Sequence, residues 1–157
     1  MSTAAISACA REHGLRVHMD GARFANACAA LGCSPADMTW RSGVDVLCFG
    51  GTKNGMLFGD AILVRRPEHF DGIRFVQKQI GHLASKNRFI AAQFTALFTD
   101  ELWLHNAANA NAMARRLSAG LDSLGLQLAS PAESNEVFVK LDADVHTRFA
   151  ESYMVHQ

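Results

Sequence analysis

The chain has 157 residues, enough for one ordinary domain with a real hydrophobic core. Hydrophobic residues make up 49% and charged residues 19%, the balance of a globular rather than a disordered chain. Lys+Arg and Asp+Glu are both 15, and a formal charge of zero gives no general attraction to nucleic acid or an anionic membrane. The N-terminal Met1-Ser2-Thr3-Ala4-Ala5-Ile6 lacks the basic-then-apolar order of a signal peptide, and no apolar run reaches the length of a membrane span. The expectation is a cytoplasmic protein with neither nucleic-acid nor membrane partners. The cysteines Cys9, Cys28, Cys33 and Cys48 fit no zinc spacing and read as buried free thiols of a reducing compartment. The histidines are scattered without paired metal spacing, so no metal site is expected.

In chain order, Ser2 to His13 reads as a helix capped by Ser2 or Thr3 and ended by Gly14. Leu15 to Met19 is a short apolar strand, and Ala22 to Leu31 a helix stopped by Gly32. Ser34-Pro35 has the form of an N-cap with proline at the first helical position, opening a short helix to about Arg41. Ser42-Gly43 turns the chain into a strand from Val44 to Phe49, and Asp60 to Val64 is a further β-rich run. From Glu68 onward the pattern is helical: one helix around Phe70 to Val76, a second around Phe89 to Phe98, and a third from Thr99-Asp100 to Gly125. Glu136 to Leu141 then alternates as a strand. Strand, helix, strand and a turn into another strand make a mixed α/β fold. No Gly-x-Gly-x-x-Gly opens a helix, so the dinucleotide-binding version lacks its phosphate fingerprint.

Two of these runs end in charges that make sense together. Val17 to Arg23 is apolar and ends in Asp20, Gly21 and Arg23; Val44 to Gly55 is β-rich and ends in Gly50, Gly51, Thr52, Lys53 and Gly55. Each reads as a buried strand delivering a charged side chain into a glycine-loosened loop, and open α/β sheets bind ligands beyond such carboxyl ends. An aspartate and a lysine so placed suit pyridoxal phosphate: the lysine forms a Schiff base and the carboxylate keeps the pyridine nitrogen protonated. Lys53 at a partly desolvated strand end favours the uncharged amine that attacks an aldehyde. Gly51 and Gly55 let the backbone approach a flat group. Residue chemistry alone also allows Lys53 as a surface lysine, Asp20 as a helix N-cap and Arg23 as a solvated ion-pair partner. His18 lies two residues before Asp20 and reads as a packed core histidine on the same strand face.

His18-Met19-Asp20-Gly21-Ala22-Arg23-Phe24-Ala25-Asn26-Ala27, then Leu31-Gly32-Cys33, then Gly51-Thr52-Lys53-Asn54-Gly55 resembles the low-specificity threonine aldolases. These belong to the aspartate-aminotransferase-like, fold-type-I class of pyridoxal-phosphate enzymes. The resemblance continues through Gly81 to Phe89 and on to about Lys140. It implies an α/β fold, an incomplete large domain over residues 1–98, then a connecting helix and the start of the small C-terminal domain over 99–157. It also implies retro-aldol cleavage of threonine or related β-hydroxy-α-amino acids to glycine and an aldehyde. The expected cofactor is pyridoxal 5'-phosphate, the partner a small amino-acid substrate, and the full-length form a homo-oligomer. Lys53 is the implied Schiff-base lysine, Asp20 the partner of the pyridine nitrogen and Arg23 the ligand of the substrate carboxylate. Thr52 and Arg88 are the phosphate-binding candidates, Arg88 in its own or a neighbouring subunit's site. Family members also carry a phosphate-cradling glycine-rich turn, a histidine stacked on the ring and a later small-domain arginine, for which these residues offer no equivalent. The chain alone is therefore expected to be inactive. Its exposed strand edges and apolar helix faces are expected to make it poorly soluble or self-associating. The alternatives are another fold-type-I activity, β-elimination or transamination, on the same Asp20 and Lys53, or a non-catalytic remnant.

Overall fold

The computed structural model describes residues 2–153, and its sheet begins where the apolar runs around Asp20 and Cys48 lie side by side. In chain order the elements are α1 (Thr3–Glu12), β1 (His18–Gly21), α2 (Phe24–Leu31), α3 (Pro35–Met38), β2 (Val46–Gly50) and β3 (Asp60–Val64). Then follow α4 (Ile73–Gln79), α5 (Arg88–Phe98), α6 (Leu102–Ser123) and α7 (Ala143–Ala150). The chain forms two compact units, Met1–Ala108 and Asn109–Gln157, with the boundary inside α6.

The local signals act where the sequence puts them. Ser2 caps α1, its Oγ accepting the Ala5 N–H at 3.3 Å. Gly32 ends α2 in the left-handed region (φ 60°) while its N–H donates to the Cys28 carbonyl, and Ser34 with Pro35 opens α3. The strand expected at Leu15 to Met19 starts later, at His18. Val17 is drawn instead to Asp45: its N–H donates to Asp45 Oδ2 at 2.9 Å, and its carbonyl accepts the N–H groups of Asp45 and Val46.

In the first unit the sheet order is β1-β2-β3, with β2 central, parallel to β1 and antiparallel to β3. The register pairs His18 with Val46, Asp20 with Cys48, and Cys48 with Ile62. Alternation therefore sends Met19, Leu47, Phe49 and Ala61 to one face, and His18, Asp20, Cys48 and Ile62 to the other. The first face is the core. Phe49, 4% exposed, meets the rings of Phe24, Phe94, Phe98 and Trp103 at centroid distances of 5.4–6.2 Å. Ala25 and Cys28 of α2, Leu97 of α5, and Trp103 and Ala107 of α6 complete it. Full burial of one such aromatic stabilises the fold by roughly 1.5–3 kcal/mol.

The second face is open, which corrects the expectation of buried strands: His18 and Asp20 are exposed, Cys48 is half-buried, and Ile62 is 57% exposed. A continuous apolar run does not say how many of its faces are covered, because covering elements come from elsewhere in the chain. His18 is accordingly no core histidine.

The four cysteines are free, but only Cys28 is buried; Cys9 is exposed and Cys33 and Cys48 are intermediate. Burial, with a smaller contribution from nearby Cys33, pushes the Cys28 thiol up to about 11. The folded state thus holds this proton more tightly than the unfolded chain. The resulting stabilisation is fully present below the ordinary thiol value of 9.0 and is lost as pH rises towards about 11. Timed alkylation at pH 8, read by peptide mass spectrometry, is expected to label Cys9 first and Cys28 last, with Cys28 catching up only in denaturant.

In the second unit the strand expected at Glu136 to Leu141 is reduced to one antiparallel bridge between Leu128 and Val139. It is supported by the Ala129 N–H to the Phe138 carbonyl and the Lys140 N–H to the Gln127 carbonyl. An isolated strand pair without a sheet to join gains little, so the ladder does not extend. Sequence reading assigned no element after Leu141, where α7 forms with Asp142 at its N-cap position.

Candidate functional site

Parallel pairing of β1 and β2 sets their carboxyl ends, and the two turns beyond them, next to each other. A Cβ built on Gly50 would lie 2.9 Å from the Cα of Ala22, so the Asp20–Arg23 turn rests against the residue three before Lys53. A Cβ on Gly21 would lie 2.6 Å from the Cys48 carbonyl oxygen, so glycine is required for the strands to close at this end.

Asp20 points from the open face. Its Oδ1 accepts the Ala22 N–H at 2.9 Å, which closes a turn and fixes the carboxylate. It is not the N-cap of α2; that position falls to Arg23, which makes no side-chain capping bond and is half-buried. Lys53 sits in a 3-10 turn over Thr52–Asn54, and both Thr52 and Lys53 are exposed. The expectation of a partly desolvated lysine is thus corrected: the Lys53 side chain stands exposed in its turn.

What holds the Lys53 turn lies beneath it. Asn54, 4% exposed, donates from Nδ2 to the Trp103 carbonyl at 2.9 Å, and Asn106 Nδ2 donates to the Asn54 carbonyl at 2.8 Å. The turn is thereby tied to the start of α6. Asn54→Ala leaves the buried Trp103 carbonyl without this donor, and the expected loss is about 1–3 kcal/mol in denaturant unfolding. The neighbouring glycines also answer to protein neighbours rather than to a bound ring. A Cβ on Gly51 would lie 2.1 Å from Met56 Sδ, and Gly55 adopts φ 111° with Asn106 Nδ2 2.9 Å from its would-be Cβ.

Arg88 opens α5 and is exposed, its guanidinium carbon 5.0 Å from the centroid of the Phe89 ring. Its helix meets the loop between Lys53 and β3: the Leu57 N–H donates to Gln93 Oε1, and a Cβ on Gly59 would lie 2.8 Å from Ile90 Cγ2. Asp20, Arg23, Thr52 and Lys53 therefore gather at two adjacent strand ends, whereas Arg88 is carried on a separate helix bordering the same loop.

Two residues that sequence reading had set aside share the Asp20 face. His18 Nε2 lies 3.2 Å from Cys48 Sγ, and Cys48 is the direct register partner of Asp20. Burial, then Asp60, then Asp20 push the Cys48 thiol up, so it stays neutral at pH 7. The two-residue spacing of His18 and Asp20 was visible in sequence; the register that adds Cys48 was not. Among the described residues no group of three or more His, Cys, Asp or Glu side chains is placed to hold a metal ion. No described helix is long and apolar enough to cross a membrane.

Comparison with known proteins places the chain in a family. The family model described as beta-eliminating lyase matches residues 1–144. The low specificity L-threonine aldolase of Pseudomonas sp. (strain NCIMB 10558) is 51% identical over 138 residues, covering 87% of this chain and 40% of the relative. The protein of the same name from Pseudomonas aeruginosa is 52% identical over the same shares of the two chains. A solved threonine aldolase of Leishmania major superposes with a TM-score of 0.84 at 32% identity, covering 96% of this chain and 44% of its own. The chain thus spans about 40% of the length of the curated relatives it matches.

Proposed function

Since this chain belongs to the beta-eliminating lyase family, with the mixed α/β large-domain fold of its fold-type-I class, we propose that its chemistry is pyridoxal-phosphate-dependent cleavage of threonine and related β-hydroxy-α-amino acids to glycine and an aldehyde. The observation that carries this reading is the placement of Asp20 and Lys53 at the carboxyl ends of two paired parallel strands, their turns in contact through Gly50 and Ala22.

The donor set suits the cofactor. A carboxylate already oriented by a backbone N–H stands on an open sheet face, and a primary amine stands at the next strand end. The chemistry that pyridoxal phosphate supplies when bound is a protonated ring that takes up the electron pair released as the Cα–Cβ bond breaks. The Asp20 carboxylate holds the proton on the pyridine nitrogen, its orientation set by the bond to Ala22. Lys53 would offer its primary amine to the cofactor's aldehyde from a turn that Asn54 and Asn106 keep in place. Arg23, at the head of α2, grips the substrate carboxylate through its planar fork of donors. Thr52 offers a hydroxyl and Arg88 a guanidinium to the phosphate dianion.

In this reading, residues 1–98 are the C-terminal part of the cofactor-binding large domain, and 99–157 the connecting helix and the start of the small domain. The support is the backbone break at Asp100 and Glu101 (φ 49° and 56°), which separates α5 from α6, while the compact units divide later, after Ala108, because Trp103 and Ala107 pack into the first unit's core. The exposed apolar side chains of Phe75, Ile80 and Leu83 support self-association into a homo-oligomer, and four free thiols suit a cytoplasmic setting. The 157 residues alone are expected to turn over little substrate, because Thr52 and Arg88 by themselves would make an incomplete set of donors to the phosphate dianion.

The test is product analysis with pyridoxal phosphate at high protein concentration and long incubation, so that slow turnover is read, adding L-threonine in one arm and an amino acid bearing a β-leaving group in the other. Glycine and acetaldehyde in the first arm support the aldolase reading. Pyruvate and ammonia confined to the second arm would reassign the activity to β-elimination on the same residues.

A further inference from the structure

We propose that Cys48, held by His18, is a positioning residue of the cofactor site, the side chain against which the pyridine ring rests between Asp20 and Lys53. This rests on the cofactor reading above but goes beyond it, to a thiol that the reading leaves without a role.

The argument starts from the open face. The residues of β2 on that face are Val46, Cys48 and Gly50, and Cys48 is the register partner of Asp20. Neighbouring strands are about 4.8 Å apart, so the thiol and the carboxylate are adjacent side chains on one surface. Lys53 follows Gly50 by three residues, beyond the end of the same strand. A flat group that meets Asp20 with its nitrogen and Lys53 with its carbonyl carbon must therefore pass from β1 onto the final residues of β2. Gly50 has no side chain to offer there, and a Cβ at that position would crowd Ala22 and lie 3.1 Å from Asp60 Oδ1. Cys48 is thus the first β2 side chain the ring meets. His18 Nε2, 3.2 Å from Sγ, holds the thiol from the β1 side. Sulfur is polarizable and packs well against aromatic rings. Partial burial, then Asp60 and Asp20, push the thiol up and keep it protonated, so no second anion competes with Asp20 for the ring nitrogen.

If the ring rests on Cys48, bound cofactor and thiol alkylation exclude each other. The experiment treats the 157-residue chain with pyridoxal phosphate and then borohydride, which reduces the carbon–nitrogen double bond to a stable secondary amine. Iodoacetamide is added next; the thiolate displaces iodide and a thioether forms. Peptide mass spectrometry reads the cofactor label at Lys53, Lys78, Lys86 and Lys140, and alkylation at Cys48 and Cys9. The expected result is label concentrated on Lys53, with Cys48 alkylated about tenfold or more slowly in the labelled fraction and exposed Cys9 unchanged. Label on Lys53 with Cys48 alkylated at its original rate would overturn the proposal while leaving the cofactor site standing. Label spread evenly over the four lysines would overturn both.

One substitution gives a second readout. Cys48→Phe fills the ring's place and is expected to lower Lys53 labelling about tenfold with the circular dichroism spectrum unchanged. Unimpaired labelling of a folded Cys48→Phe chain counts against the proposal. If that variant does not fold, the wild-type alkylation rates decide alone.

Discussion

Lys53→Ala is expected to abolish the visible absorption band that pyridoxal phosphate acquires on bonding to the protein. On the proposed reading, any threonine cleavage should fall by on the order of a thousandfold or more. The magnitude follows from the role: without Nζ at this strand end, nothing else in the turn attacks an aldehyde, since Thr52 carries a hydroxyl and Asn54 is buried and bonded to Trp103. Lys78 and Lys86 lie in and beyond α4 and Lys140 in the second unit, none of them at the end of β2. The measurement is the absorption spectrum of wild type and mutant at equal cofactor, with stability checked by denaturant unfolding. Lys53 is exposed and forms no part of the core, so the mutant should unfold within about 0.5 kcal/mol of wild type. A full-strength band in Lys53→Ala would remove this residue from the site.

The largest expected stability effect belongs to Phe49. Phe49→Ala removes the ring that touches four other aromatic rings, and the expected cost is about 3–5 kcal/mol by denaturant titration. Against a total of about 5–15 kcal/mol for an ordinary domain, that loss is enough to leave the first unit marginal. Ile62→Ala is the matched control. It sits on the neighbouring strand at 57% exposure on the open face, and its expected cost is under about 1 kcal/mol. Equal costs at the two positions would mean that both faces of the sheet are covered in solution, contrary to the burial seen here.

Much of this molecule is legible without coordinates where a local interaction decides. Ser2, Gly32, Ser34 and Pro35 mark helix ends, because capping and left-handed backbone depend on only a few neighbouring residues. The strand Asp60–Val64 and the helix Arg88–Phe98 follow from β-branched content and helical spacing. The reading falls short wherever a distant partner decides. Glu136 to Leu141 has the alternation of a strand but only one bridge partner. Gly51 and Gly55 look like backbone cleared for a ligand, yet Met56 and Asn106 occupy the cleared space. Cys48 looks like an ordinary buried thiol until register sets it beside Asp20.

The amino-acid order alone determined the family, the mixed α/β class and the acid and the lysine that close two β-rich runs, because those are carried by residue identity and spacing along one chain. Only the tertiary structure decided which face of β1 and β2 is packed, which residues fasten the Lys53 turn, and which side chains stand next to Asp20. Period-two alternation divides a strand's residues into two sets, but the apolar surface of other elements selects which set is buried.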